Sequence, residues 1–226
     1  MNYKTLIWSA IFAISMGFFE SSVVIYLREI AYPDGFSFPL QTIKHPLLLI
    51  EIFREIFSLI MLISIAFLIG KRGIERFAWF LYNFAIWDIF YYIFLKIFIG
   101  WPESFFTMDL LFMVPVVWTG PVLAPIIASV IMISLSIALI NFSSKIRYLH
   151  FKFKELLFLI LGLILIFTSF TINQFIYGRE INIANSESSI RNYNSEKFFW
   201  PIFVIGIILI IYSIFLFIKR NKKNKK

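Results

Sequence analysis

Six long apolar stretches run through the chain, at about 5–27, 46–69, 76–99, 110–141, 155–177 and 199–218. Each reaches the ~20 residues that an α-helix needs to cross the hydrocarbon core of a bilayer. Charged residues make up 15% of the sequence and apolar ones 60%. A soluble domain carries roughly 25% charged residues, so a water-facing exterior is excluded. The expected fold class is an all-α integral membrane protein. It is a bundle of about six transmembrane helices over residues 1–218, followed by a basic tail at 219–226.

The fourth stretch is longer than one crossing requires. Pro115, Gly120, Pro121 and Pro125 interrupt it. Proline removes a backbone donor and breaks a helix, so this span is read as broken by Pro and Gly. It is either one broken helix or a re-entrant segment followed by a full crossing.

Basic residues give an orientation. One set of segments holds Lys4, then Lys71, Arg72 and Arg76, then Lys145, Arg147, Lys152 and Lys154, then the tail from Lys219 to Lys226. The opposite set holds only Arg28, Lys44, Lys96, Arg179, Arg191 and Lys197. The excess alternates as six crossings demand, which puts both termini in the cytoplasm (of the inner membrane, in a bacterium). Lys4 before an apolar run resembles the start of a signal peptide. No small-residue cleavage site follows, and bulky Phe18 and Phe19 precede Glu20, so the first stretch reads as a retained helix.

The net charge of +8 sits beside the apolar stretches and reads as topology rather than as a nucleic-acid footprint. The tail reads first as an anchor that fixes orientation, with anionic lipid as its alternative partner. Residues 178–198 are rich in Asn, Ser and Glu and read as a flexible external loop. There is no Cys, hence no disulfide, thiolate metal site or iron–sulfur cluster. No internal repeat, nucleotide-binding glycine motif or separate soluble domain stands out.

The acids carry most of the information. Glu20, Glu51, Glu55 and Asp88 fall inside apolar stretches, and Arg54 joins them. A charge at mid-bilayer costs about 2.5–3.5 kcal/mol even on the lenient insertion scale, so these groups should face one another or a watery cavity. Helical phase permits that. Ser9, Ala13, Gly17 and Ser21 form a stripe of small residues on the first span, with Glu20 inside it. On the second span Glu51, Glu55, Ser58 and Leu62 share an arc, with Arg54 at its edge. On the third, Ala78, Ala85, Asp88, Tyr92 and Lys96 share a face. Glu20, Glu51 and Glu55 lie about 8–13 Å from the outer ends of their spans and Asp88 about 16 Å, at 1.5 Å per residue.

These residues predict one polar pocket in the outer half of the bilayer. Its candidate ligands are Glu20, Glu51, Arg54, Glu55, Asp88, Tyr92, Glu103 and Asp109, with Glu51, Glu55 and Asp88 as candidate metal ligands. Each has a plainer reading. Glu51, Arg54 and Glu55 would be an ion-pair cluster that sets register, Glu20 a partner for Arg54, and Asp88 a carboxyl bonded by a neighbouring Tyr. Asp109 would complement the dipole of a helix start, and Glu103 would sit in an aqueous loop.

The chain holds two histidines, His45 and His150, on opposite sides, which excludes a bis-His haem. Glu-x-x-His pairs for a di-iron site are absent. The expected function is binding or transport of a proton, a metal cation or a cationic small molecule. Hard oxygen ligands would suit a divalent cation such as Mg²⁺, Ca²⁺ or Mn²⁺. Six spans are few for a complete alternating-access carrier, and a homo-oligomer would relieve that. The alternatives are a membrane-embedded enzyme acting on a lipid or polyprenyl substrate, or a non-catalytic complex subunit or assembly factor.

Overall fold

The computed structural model describes residues 3–32, 45–146, 149–177 and 197–223. The stretch at 178–196, Lys44, Arg147 and the last three residues lie outside the described residues, as does the side chain of His45. The elements in chain order are α1 (Tyr3–Ala31), α2 (His45–Ile69), α3 (Gly73–Ile99), β1 (Met108–Phe112), β2 (Trp118–Pro121), α4 (Leu123–Ser143), α5 (Phe153–Tyr177) and α6 (Trp200–Lys223). All six helices are long and apolar enough to span a membrane. The chain is an integral, multi-pass membrane protein of all-α class. Helix α6 runs on to Lys223, so the first part of the basic tail is helical.

The fourth apolar stretch departs from a broken helix. Residues 108–121 form an antiparallel hairpin, with Asp109 opposite Gly120 and Leu110 opposite Thr119. The reason is local. Proline lacks a donor and disfavours helical geometry in the residue before it, and Val114, Val116, Val117 and Thr119 are β-branched. Helix α4 begins only at Leu123, with Pro125 in its first turn, where no intrahelical donor is needed.

Helix α3 is the hub, packed against α1, α2 and α4. Its contact with α1 depends on Gly17, where a Cβ would lie 3.0 Å from the Trp87 carbonyl oxygen. The stripe of Ser9, Ala13, Gly17 and Ser21 is buried against that helix as helical phase predicts. Ser9 donates a hydrogen bond to Asn83 Oδ1 at 2.8 Å, and Asn83 donates to the Trp79 carbonyl. Small residues admit a close approach, and the polar pair then fixes its register. Gly100 ends α3 with φ of +69°, a left-handed cap that favours glycine.

Helices α5 and α6 form a second unit. A Cβ on Gly162 would lie 2.7 Å from the Gly206 carbonyl oxygen, and one on Gly206 would lie 2.9 Å from that of Gly162. This pair meets the rest of the bundle through α6 against α4 and through β2 against α5. Trp118 stacks on Phe170 at 6.1 Å between ring centroids and meets Phe167 edge-on at 5.0 Å. A cavity of about 400 Å³ remains among the six helices and the hairpin.

Candidate ligand-binding site

The cavity is charged where α1 and α3 end and α2 begins. Helix α2 contributes Glu51, Arg54 and Glu55 from consecutive turns of one arc, which positions i, i+3 and i+4 share. Glu51, Glu55, Ser58 and Leu62 are all buried, while Phe53 and Ile60 are exposed on the opposite side, toward lipid. Arg54 Nε donates to Glu51 Oε2 at 2.8 Å, and its other nitrogens reach Glu51 Oε1 and Glu20 Oε1. Ser58 donates to the second oxygen of Glu20 at 3.2 Å. Arg54 thus bridges α1 and α2, and the reading of Glu20 as its partner holds.

Glu55 does not share that arginine's hydrogen bonds. It accepts the Met113 backbone N–H, with oxygens at 2.9 and 3.1 Å. Met113 opens the hairpin tip, and Glu55 lies about 15 Å along α2, counting 1.5 Å per residue from its start. The hairpin is therefore re-entrant. Non-helical backbone at membrane depth is tolerated only where protein or a water-filled cavity surrounds it. Here Phe112 packs on Phe84 and Trp87, and Trp118 on α5.

Asp88 accepts a hydrogen bond from Ser129 of α4 at 2.7 Å, in place of the expected tyrosine. Tyr92 instead donates to Asp109 at 3.1 Å. Asp109 is not at a helix start. It lies on β1, 1% exposed, with Arg28 Nη2 at 3.1 Å from its other oxygen, so the macrodipole reading is overturned. The Arg28 guanidinium also lies over the Trp101 ring, 3.8 Å from its centroid.

Of the sequence candidates, Glu20, Glu51, Arg54, Glu55, Asp88, Tyr92 and Asp109 all line the cavity. Glu103 does not; it is exposed on the connection between α3 and β1. Lys96 turns away too and donates to the carbonyls of Gly100 and Pro102. Sequence reasoning missed Arg28 and Ser129. Arg28 was legible in principle, because Glu20, Val24, Leu27 and Arg28 follow the i, i+4, i+7, i+8 spacing of one helix face. Ending the first span at residue 27 hid it.

The lining carries the carboxylates of Glu20, Glu51, Glu55, Asp88 and Asp109 against the guanidinium groups of Arg28 and Arg54. Away from that end the walls are apolar and aromatic, with Leu81, Phe84, Trp87, Trp118, Leu135 and Leu163. Among the described residues, no three His, Asp or Glu side chains gather as a metal-ligand set. Glu51, Glu55 and Asp88 share the cavity but hold different partners.

The fold and this site define an integral membrane protein with a charged cavity inside its helix bundle. No protein-family model matches the chain, and neither curated proteins nor solved structures give a significant match.

Proposed function

We propose that this protein binds a small organic cation within the membrane, as a carrier or as the binding subunit of a transport system. One observation carries the reading: a single cavity joins an excess of carboxylates at one end to an aromatic and aliphatic chamber at the other. Its volume of about 400 Å³ falls in the range of small-molecule sites, roughly 300–1,000 Å³. The acids would meet the positive head, and the faces of Trp87 and Trp118 would add cation–π attraction. A bare divalent ion is less favoured, because the acids are spread over four partner sets. A phosphate head group, as a lipid-processing enzyme would need, is less favoured too. Both arginines of the cavity are held by carboxylates.

A proton is the other small cation such acids can carry. It would predict coupling of ligand uptake to pH, read as a shift of uptake with the proton gradient in liposomes.

The proposed orientation puts both termini in the cytoplasm and the charged end of the cavity outside, on the strength of the basic-residue bias. Reporter fusions after residues 35, 73, 103, 148, 188 and 226 should then alternate, beginning outside. Fusions at 188 and 226 on one side would overturn it.

Binding is tested on purified protein in nanodiscs with benzyltrimethylammonium as the probe and neopentylbenzene, its neutral carbon isostere, as the control. Saturable binding of the cation alone, weakened about tenfold or more in Asp88→Asn, is expected; a tenfold loss corresponds to about 1.4 kcal/mol. No binding, equal binding of the neutral isostere, or unchanged affinity in the variant would overturn the reading.

A further inference from the structure

At the far end of the bundle, α5 begins and α6 ends side by side, and a shallow groove runs between them. Lys152, Lys154, Lys219 and Arg220 line it, over the apolar Phe151 and Leu216. Its acid is Glu155, and that carboxylate is taken. Arg220 holds both its oxygens at 2.7 and 2.8 Å and reaches the His150 carbonyl at 2.7 Å. The Lys152 backbone N–H also caps Glu155, at 2.9 Å. Lys152, Lys154 and Lys219 form no salt bridge with a described residue. After Arg220 and Glu155 neutralise each other, three ammonium groups remain along the groove, that of Lys219 lying over the Phe215 ring at 5.6 Å from its centroid. Phe153 stands beside them, 79% exposed.

We propose that this groove binds the phosphate head group of an anionic glycerophospholipid, with Phe153 against its acyl chains. Three features select that ligand. The net charge of the groove is positive and matches a phosphodiester in sign. The groove lies where two membrane-length helices reach the interface, at head-group depth. Lysine stems and an exposed phenylalanine offer apolar surface just below the ammonium groups, as an interfacial anchor does. The site is at the opposite end from the carboxylate cavity and does not depend on what that cavity binds. It is also distinct from the extreme basic tail, because its described lining ends at Arg220.

The test uses the full chain in detergent micelles, titrated with phosphatidylglycerol or phosphatidylcholine and read by native mass spectrometry. Preferential retention of phosphatidylglycerol is expected. The triple variant Lys152→Gln, Lys154→Gln, Lys219→Gln should lower that retention on the order of a hundredfold. Its melting temperature in lipid-free detergent should stay at the wild-type value, because none of the three holds a salt bridge with a described residue. Equal retention of the two lipids, or phosphatidylglycerol retention unchanged in the triple variant, would overturn the site. So would loss confined to a variant with Lys222, Lys223, Lys225 and Lys226 changed to Gln, which would move the contact to the tail. Full displacement of the lipid by millimolar inorganic phosphate would also overturn it, in favour of a soluble anion.

Discussion

Two parts of this bundle solve the same problem in opposite ways. Helices α1 to α4 carry charges into the membrane and hold together around them: Arg54 ties α1 to α2, Arg28 ties α1 to the hairpin, and Ser129 ties α4 to Asp88 on α3. Helices α5 and α6 meet at mid-span across Gly162 and Gly206, backbone against side chain, with no charge at that level. Their ionic contact, Glu155 with Arg220, waits until the helix ends. The difference separates the charged lining of the cavity from its apolar wall. Helices α1 to α3 and the hairpin supply every charged group of the cavity, and α5–α6 supplies only apolar wall, such as Leu159, Leu163 and Ile207.

If that contrast is right, the largest effect belongs to Arg54→Ala. It strands Glu20 and Glu51 without their counter-charge, and breaking a buried pair costs about 3–5 kcal/mol. Unfolding in mixed detergent micelles measures this. A loss below about 1 kcal/mol, typical of exposed pairs, would erase the contrast. Next comes Gly206→Val, which forces bulk against the Gly162 carbonyl and Ile166; overpacking of this kind costs roughly 1–3 kcal/mol. It should destabilise the protein while lowering cation affinity less than Asp88→Asn does, since Gly206 itself does not line the cavity and only its neighbour Ile166 would be displaced.

Glu55→Ala should cost roughly 2 kcal/mol, because the Met113 N–H loses its acceptor at depth, and Glu55→Gln should recover most of that. Equal damage from both variants would mean that the charge of Glu55, rather than its acceptor role, supports the hairpin. The smallest change is Ser129→Ala. It removes one hydrogen bond from Asp88, for about 1 kcal/mol by the same unfolding measurement.

The charged part was largely legible in the sequence, and for a physical reason. Intramembrane charges are costly, so they have few places to point, and helical phase then put Glu51, Glu55 and Ser58 on one buried arc. Phase cannot choose among partners. Glu55 was expected beside Arg54 and went instead to a backbone N–H on a segment read as helix. The hairpin itself was hidden because Leu110, Leu111 and Phe112 follow one another without polar alternation and read as one more apolar run. Proline announced the break at residues 115 and 121 but not the geometry that followed. Glu103 failed for a simpler reason: proximity to the pocket in sequence did not bring it there.

The re-entrant hairpin carries a consequence for how the protein is made. Its amide groups face hydrocarbon unless Glu55, Phe84, Trp87 and Phe170 already surround them, and each bare amide in lipid costs several kcal/mol. Helices can enter the bilayer one at a time, whereas this segment has no acceptable home there until its neighbours have arrived. Biogenesis should therefore run out of chain order, with residues 108–121 waiting in water while α5 and α6 are synthesised. The chain has no native cysteine, so Met113→Cys gives a single label site. That thiol should react with a membrane-impermeant maleimide in chains halted before α5 and be shielded once α6 is complete. Shielding in the halted chains would show instead that the first four helices suffice to seat it.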